Sequence, residues 1–367
     1  MIGFLHLGKQ LKLSLAEISN FHTLDASIKD GSFLSFNNSK FFDINYNNLG
    51  GIRAAYKIIS KTEDEFKDYL KTLDTSNNPV VYVDSNKLDY KVLKKICNVS
   101  DFKLKIGFKS SDFRPVRFSK DKDQFYYVLN FENKLYFLKA FFIANASRYA
   151  LRDYKKPYRD AKLGMLPPKL CQMMLNFVSN KSFIYDPFCG TGSLLMEAVL
   201  MGVKNVYGSD LLNANIDGTK KNLFFTSRKF QLDFNSDVFQ HDVNNDFNIQ
   251  FSPTAIVTEG FLGSPLHGNE PESFLRAQMH IVFDLYLKFF INIFSKLQAG
   301  SEIVMCFPIF KDIERDSEKS FYNLIGKLYD IGYEHEYLSK TENIKIAYYT
   351  RNDQHLKRLV FKVVKKD

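Results

Sequence analysis

Residues 182–200, SFIYDPFCGTGSLLMEAVL, run from a short apolar stretch through Asp186-Pro187-Phe188-Cys189-Gly190-Thr191-Gly192 into a second apolar stretch. The pattern predicts a strand, a tight turn and a helix. Gly190 and Gly192 permit the sharp reversal and let a ligand lie against the backbone. The helix opening at Ser193 offers that ligand unpaired N–H groups. Two features separate this turn from a dinucleotide-binding one. The place of the third glycine, which serves helix packing there, holds Leu194 or Leu195, and Asp186 at the strand end would repel a diphosphate. A cationic ligand without phosphate tolerates that carboxylate, and S-adenosylmethionine, with its sulfonium and amino groups, meets the description. Asp186, Phe188, Gly190, Thr191 and Gly192 are therefore the first candidate cofactor contacts. The competing reading is a purely structural strand-to-helix turn.

Toward the C-terminus, NVYGSD (205–210) reads as a second strand. It ends in Asp210, at the spacing where a carboxylate accepts hydrogen bonds from ribose hydroxyls. NANIDGTKKNLFF forms the next helix, SDVFQHDV (236–243) a third strand carrying Asp242, and PTAIVTE a fourth ending at Glu259. Residues 272–297 have the apolar spacing of a long helix, SEIVMCFPIF (301–310) is a fifth strand, and FYNLIGKLYDIG is a further helix. GYEHEYLSK and KRLVFKVVK close the chain as antiparallel strands. This alternation predicts an α/β, doubly wound sheet of seven strands, the last antiparallel, with the ligand above the C-terminal strand ends.

Upstream of residue 151 the pattern changes. Residues 1–115 read as a smaller α+β module: a strand over 2–7, a helix in LSLAEISNF opened by a capping box of Ser14 and Glu17, β-rich structure over 33–46, a helix over 63–73, a strand over 80–83, a helix over 87–97 and a strand over 102–108. Residues 116–150 hold two strand-like runs, QFYYVLNF and KLYFLKAFF, joined at Glu132-Asn133 as a β-hairpin connector. Residues 150–178, ALRDYKKPYRDAKLGMLPPKLCQMMLNFV, form a charged, proline-containing loop and then a helix starting near Pro168.

DPFCGTG (186–192) resembles the first motif of class I methyltransferases acting on exocyclic amines of nucleic acids. The segment RDYxxPxRDxxxGMLPPKL (152–170) ahead of it resembles the archaeal and eukaryotic enzymes that methylate guanosine at position 10 of tRNA, and related bacterial RNA methylases; the likeness covers roughly residues 145–367. The opening FLHLGKQLKLSLAEI is similar to the start of the tRNA guanosine N2-methyltransferases, where such a module precedes a THUMP RNA-binding domain. The module here is shorter than a complete THUMP domain and is called THUMP-like. The resemblance implies a class I methyltransferase domain over 151–367, S-adenosyl-L-methionine as cofactor, no metal, and tRNA or another structured RNA as substrate, with a helper subunit left open. It implies that Arg152, Asp153, Arg159 and Asp160 shape the pocket over the methionine end of the cofactor, and that Asp242 takes the adenine amino group. These Arg and Asp side chains pairing only with one another is the competing reading.

At the fourth strand end the family carries Asp-Pro-Pro-Tyr-Gly, and this chain carries Glu259-Gly260-Phe261-Leu262-Gly263. An amine on a purine is a poor nucleophile because its lone pair is delocalised into the ring. An acid that accepts its hydrogen bond and aims it at the sulfonium methyl answers that need, and an aromatic face holds the flipped base. Glu259 and Phe261 are the candidate catalytic residues. Two other functions fit the same motifs: an adenine-N6 methyltransferase acting on DNA or ribosomal RNA, and a catalytically inactive homologue that binds cofactor or RNA.

At 367 residues the chain is long enough for two or three domains. Cys97, Cys171, Cys189 and Cys306 are scattered without a Cys-x-x-Cys pair or a His/Cys cluster, which fits a reducing cytosol. The N-terminal run is interrupted by Lys9 and Lys12 and has no small-residue cleavage site, so no signal peptide is expected; nor is a membrane span. A cytoplasmic location follows. The net charge of +9 is uneven: residues 1–150 hold 23 Lys and Arg against 16 Asp and Glu, and residues 151–367 hold 27 against 25. A phosphate backbone is the partner that such an excess outside the cofactor domain points to; lysine-rich solubility is the bland alternative.

Overall fold

The computed structural model describes residues 2–21, 32–72, 80–83, 95, 125–159 and 165–366. The helix expected over 87–97, apart from Lys95, and the strand expected over 102–108 lie outside the described residues, as does Asp160. The chain divides into two units, residues 1–11, 23–47 and 52–148 forming the first and residues 12–22, 48–51 and 149–367 the second.

The elements up to residue 153 are β1 (Gly3–Leu7), α1 (Leu11–Ser19), β2 (Phe33–Phe36), β3 (Ile52–Ser60), α2 (Glu63–Lys71), β4 (Val80–Val83), β5 (Phe125–Phe131), β6 (Lys134–Ile143) and α3 (Ala146–Asp153). The first unit is built on a six-stranded sheet in the order β2-β1-β3-β6-β5-β4, antiparallel except for the β4–β5 pair. Alternate apolar residues bury an aromatic cluster in which the Phe4 ring lies 5.1 Å from those of both Phe131 and Tyr136. Strands β5 and β6 turn at Glu132 and Asn133, both at positive φ, as a two-residue hairpin requires. The hairpin expected as a connector is part of this sheet, with β6 paired to β3.

In the second unit follow α4 (Pro168–Asn176), β7 (Phe183–Asp186), α5 (Ser193–Leu200), β8 (Asn205–Asp210), α6 (Asn213–Phe230), β9 (Asn235–Gln240), β10 (Ala255–Glu259), α7 (Glu272–Phe294), β11 (Glu302–Phe310), α8 (Glu314–Ile331), β12 (Tyr333–Glu336), β13 (Ile346–Tyr349) and β14 (Leu356–Lys365). The main path of the sheet is β12-β14-β11-β10-β7-β8-β9, seven strands with β14 antiparallel to its neighbours, and β13 pairs with β14 as an eighth. Both faces are covered, so the central strands are apolar throughout and split their residues by parity. On β10 and β11, Ala255, Val257 and Val304 face the layer of α1, α4, α5 and α6, while Ile256, Ile303 and Met305 face α7 and α8.

The capping box expected at Ser14 does not form, because α1 begins at Leu11 and Ser14 lies buried within it. Glu17 is buried as well, and its carboxylate accepts from the backbone N–H of Gly50 (3.0 Å) and Gly51 (2.7 Å) and from Asn176 Nδ2 (2.8 Å). Donors supplied by tertiary structure thus take the acid that a local cap would have used. Among the described residues no helix is long and apolar enough to cross a membrane.

Candidate functional site

The C-terminal ends of β7, β8, β10 and the loops after them enclose a cavity of about 950 Å³. Parallel strands leave such a crevice where the order reverses between neighbours, here between β7 and β10. Asp186, Phe188, Gly190 and Thr191 line it from the turn after β7, Asp210 and Asp242 from the ends of β8 and β9, and Glu259 and Phe261 from the end of β10.

The turn has the geometry its glycines predict. Gly190 and Gly192 sit at φ of +50° and +73°. A Cβ at Gly192 would stand 2.7 Å from Thr219 Cγ2, so this glycine also sets how closely α6 packs, whereas one at Gly190 would meet nothing nearer than Phe188 O at 3.9 Å. Gly192 packs behind the loop and Gly190 faces the cavity. Asp210 organises the same loop. Its Oδ2 accepts from the Gly190 N–H (2.9 Å), and its Oδ1 from the Leu212 N–H (3.0 Å) and Asn215 Nδ2 (2.9 Å). A carboxylate has about four acceptor positions, so Oδ2 keeps one for a ligand.

Asp186 is buried, its Oδ1 accepting from Thr258 Oγ1 (2.6 Å) and the Phe188 N–H (3.2 Å). Burial pushes its carboxyl up to about 7 against the pull of those two donors, and the Asp210 and Glu259 carboxylates add to the rise. The cavity thus concentrates negative charge. Dinucleotide phosphates are disfavoured in it, and a ligand carrying a cation is favoured. Asp242 is half-buried, with Oδ1 accepting from the Asn244 N–H and Nδ2, each at 2.9 Å. The residues present fit S-adenosylmethionine: the open backbone at Gly190, the spare acceptor on Asp210 and the buried acid Asp186 answer to its adenosine and cationic parts.

The Glu259-Gly260-Phe261-Leu262-Gly263 loop is held at three points. Glu259 Oε1 accepts from Arg358 Nε of β14. Tyr286 Oη donates to Phe261 O (3.1 Å), and the Ser264 N–H donates to Gln278 Oε1 (2.8 Å). Gly260 leaves no room for a side chain, because a Cβ there would run into Tyr286 and Met305. Phe261 lines the cavity and is 40% exposed. Burial raises the Glu259 carboxyl, and the Arg358 guanidinium opposes that rise.

The loop before α4 is placed differently from the cofactor turn. Arg152 is buried, its Nε 2.7 Å from Glu197 Oε1 of α5, and its guanidinium stacks on the Tyr149 ring at 4.5 Å. Arg159 lies over Tyr154 at 5.5 Å. Neither of these, nor the half-buried Asp153, is among the described lining residues. What reaches the turn from this loop is Lys156, which sequence reasoning missed. It is buried, and its Nζ donates to Thr191 Oγ1 (2.9 Å) and Ser193 Oγ (2.6 Å); burial lowers its ammonium to about 8. Asn222 of α6 bridges the two segments, its Nδ2 donating to Tyr158 O (2.9 Å) and Thr191 O (2.8 Å). Asn215 and Arg358 were missed too. Lys156 stands at an unspecified position of RDYxxPxRD, and nothing local marked Asn215 or Arg358.

Comparison with known proteins agrees with this architecture. Residues 156–238 match the family described as UPF0020: RMKL-like, methyltransferase domain. The chain is 32% identical over 174 residues to the tRNA (guanine(10)-N2)-dimethyltransferase of Methanothermobacter thermautotrophicus, 46% of each chain. Against the enzyme of the same name from Pyrococcus abyssi it is 26% identical over 167 residues, 45% of each. The matches thus span about half the length of these curated relatives. Among solved structures, TrmN from Thermus thermophilus aligns over 100% of both chains with a TM-score of 0.54 at 12% identity. The fold is that of the class I methyltransferases, and the matched relatives are of the kind that the sequence motifs resemble.

Proposed function

We propose that this chain is a cytoplasmic, S-adenosylmethionine-dependent methyltransferase acting on N2 of a guanine in tRNA. The observation that carries the reading is one cavity in which the glycine turn, Asp186 and Asp210 stand beside the Glu259–Phe261 loop. When bound, the cofactor supplies an electrophilic methyl group on a sulfonium. The chain's own residues do the rest. Gly190 and Asp210 hold the adenosine end, with Asp242 toward the adenine, and Asp186 faces the cationic end. Phe261 offers an exposed ring on which a flipped-out base stacks. Glu259 accepts a hydrogen bond from the exocyclic amine, keeps its lone pair directed at the methyl, and is the carboxylate in position to take the proton that the amine gives up. Lys156 and Asn222 tie the segment before α4 to the turn. The relatives named for guanine-10 of tRNA support the choice of base and substrate, and the excess of Lys and Arg in residues 1–150 supports a phosphate-binding role for that segment.

The test is labelled methyl transfer by the full chain to unmodified tRNA transcripts, followed by mass spectrometry of the nucleosides. N2-methylated guanosine is the expected product. N6-methyladenosine would transfer the assignment to adenine, and no transfer to any RNA would overturn the enzymatic reading.

A further inference from the structure

We infer that Arg358 makes this cavity selective for a base edge bearing two adjacent hydrogen-bond donors, the pattern of guanine N1–H and N2–H₂, by holding Glu259 as a carboxylate. The inference rests on the reading of Glu259 as the group that faces the base. Arg358 sits on β14, two residues from Val360, which pairs with Cys306 of β11, and Cys306 in turn is level with Glu259 on β10. The register of the antiparallel strand therefore delivers a guanidinium to the end of the fourth strand. Arg358 is 3% exposed and Glu259 15%. The guanidinium is fixed on both sides, Nε donating to Glu259 Oε1 and Nη1 to Gln354 Oε1 (2.7 Å).

The protonation state of Glu259 decides which base edge it matches. An ionised carboxylate accepts at both oxygens and donates nothing. Guanine offers N1–H and N2–H₂ side by side and satisfies both oxygens at once. Adenine offers one donor, N6–H₂, beside the lone pair of N1, which a second carboxylate oxygen repels. A protonated acid or an amide presents one donor and one acceptor instead, and that is the complement of adenine. Burial drives Glu259 toward the neutral form, and Arg358 is the cation that opposes this. Without the guanidinium, an unpaired buried carboxylate takes up a proton, and the cavity reads the other edge. Arg358 is thus a positioning residue that acts through Glu259.

The test measures binding, so it does not depend on turnover. Guanosine and adenosine 5′-monophosphates are titrated into the full chain saturated with S-adenosylhomocysteine, with affinities read by NMR. The wild type should prefer the guanine nucleotide by about ten- to a hundredfold, the worth of one charge-assisted hydrogen bond. In Arg358→Met that preference should be lost or reversed toward the adenine nucleotide, and Arg358→Lys should retain most of it. A wild type with the preference and an Arg358→Met variant that keeps it overturns the inference while leaving the proposed function standing. A wild type with no preference also overturns it, and the methyl-transfer assay then judges the guanine reading separately. Should Arg358→Met not fold, the charge-neutral double variant Glu259→Gln/Arg358→Met decides: it should bind the adenine nucleotide at least as tightly as the guanine one, and a retained guanine preference overturns the inference.

Discussion

Replacing Asp210 with alanine removes two things at once: the proposed acceptor for a ribose hydroxyl, and the anchor for the Gly190 and Leu212 amides and the Asn215 side chain. A hydrogen bond to a charged group contributes about 1.5–3 kcal/mol, so the lost ligand bond alone should weaken S-adenosylhomocysteine binding about ten- to a hundredfold. The loop contribution needs its own control. Asn215→Ala removes one of the three protein donors but leaves the carboxylate, the Gly190 bond and the Leu212 bond intact. Asn215→Ala removes a bond within the protein and leaves the ribose acceptor in place, so it should weaken binding by much less than Asp210→Ala. Titration calorimetry on both variants, with thermal melts of the ligand-free proteins to confirm folding, separates the effects. Binding by Asp210→Ala within about twofold of wild type would refute the ribose role, and so would an Asn215→Ala loss as large as that of Asp210→Ala, because the effect would then be loop order alone.

Phe261→Ala should weaken capture of RNA by the loss of a stacking face worth about 1–3 kcal/mol while leaving cofactor affinity unchanged; single-turnover assays over a range of tRNA concentrations check this, and an unchanged tRNA dependence removes Phe261 from the site. The two glycines of the turn share a left-handed backbone, so alanine at either incurs about 1–2 kcal/mol of strain and should lower the melting temperature. Gly192→Ala adds the contact with Thr219 and should lower it further, whereas Gly190→Ala meets nothing nearer than 3.9 Å and its methyl faces the cavity, so it should be the one that also reduces cofactor affinity; melts paired with calorimetry distinguish the two. Burial raises the Glu17 carboxyl from 4.5 to about 7, against the Asn176, Gly51 and Gly50 donors. The native state therefore keeps a proton that the unfolded chain releases near 4.5, and the contribution of this group to stability falls as pH rises from about 4.5 to about 7. Glu17→Gln should flatten that part of the profile of melting temperature against pH; a slope equal to the wild type's excludes Glu17 as its source.

Much of this protein is local in the chain. The turn over 186–192 carries its own glycines, acid and helix start within one short segment, so its shape and its Asp186 needed no partner to be read. The alternation of strands with helices after it is periodic, and periodicity reports burial directly: both-faces-buried strands such as β10 and β11 are apolar runs, and Glu259 ends β10, while Asp210 closes β8 and Asp242 lies two residues past β9. Tertiary structure decided what each polar group does once placed. Ser14 and Glu17 have the spacing of a helix cap, but the donors that win Glu17 are Gly50, Gly51 and Asn176, from elsewhere in the chain. Arg152, a candidate pocket residue, stands beside Glu197, since a buried carboxylate on α5 needs a cation within reach. Glu259 and Arg358 are 99 residues apart, and only the antiparallel register of β14 against β11 brings them into one ion pair. Hydrophobic spacing dictates which face a residue is on; which charge waits across that face is set by strand order and register, and these exist only in the folded sheet.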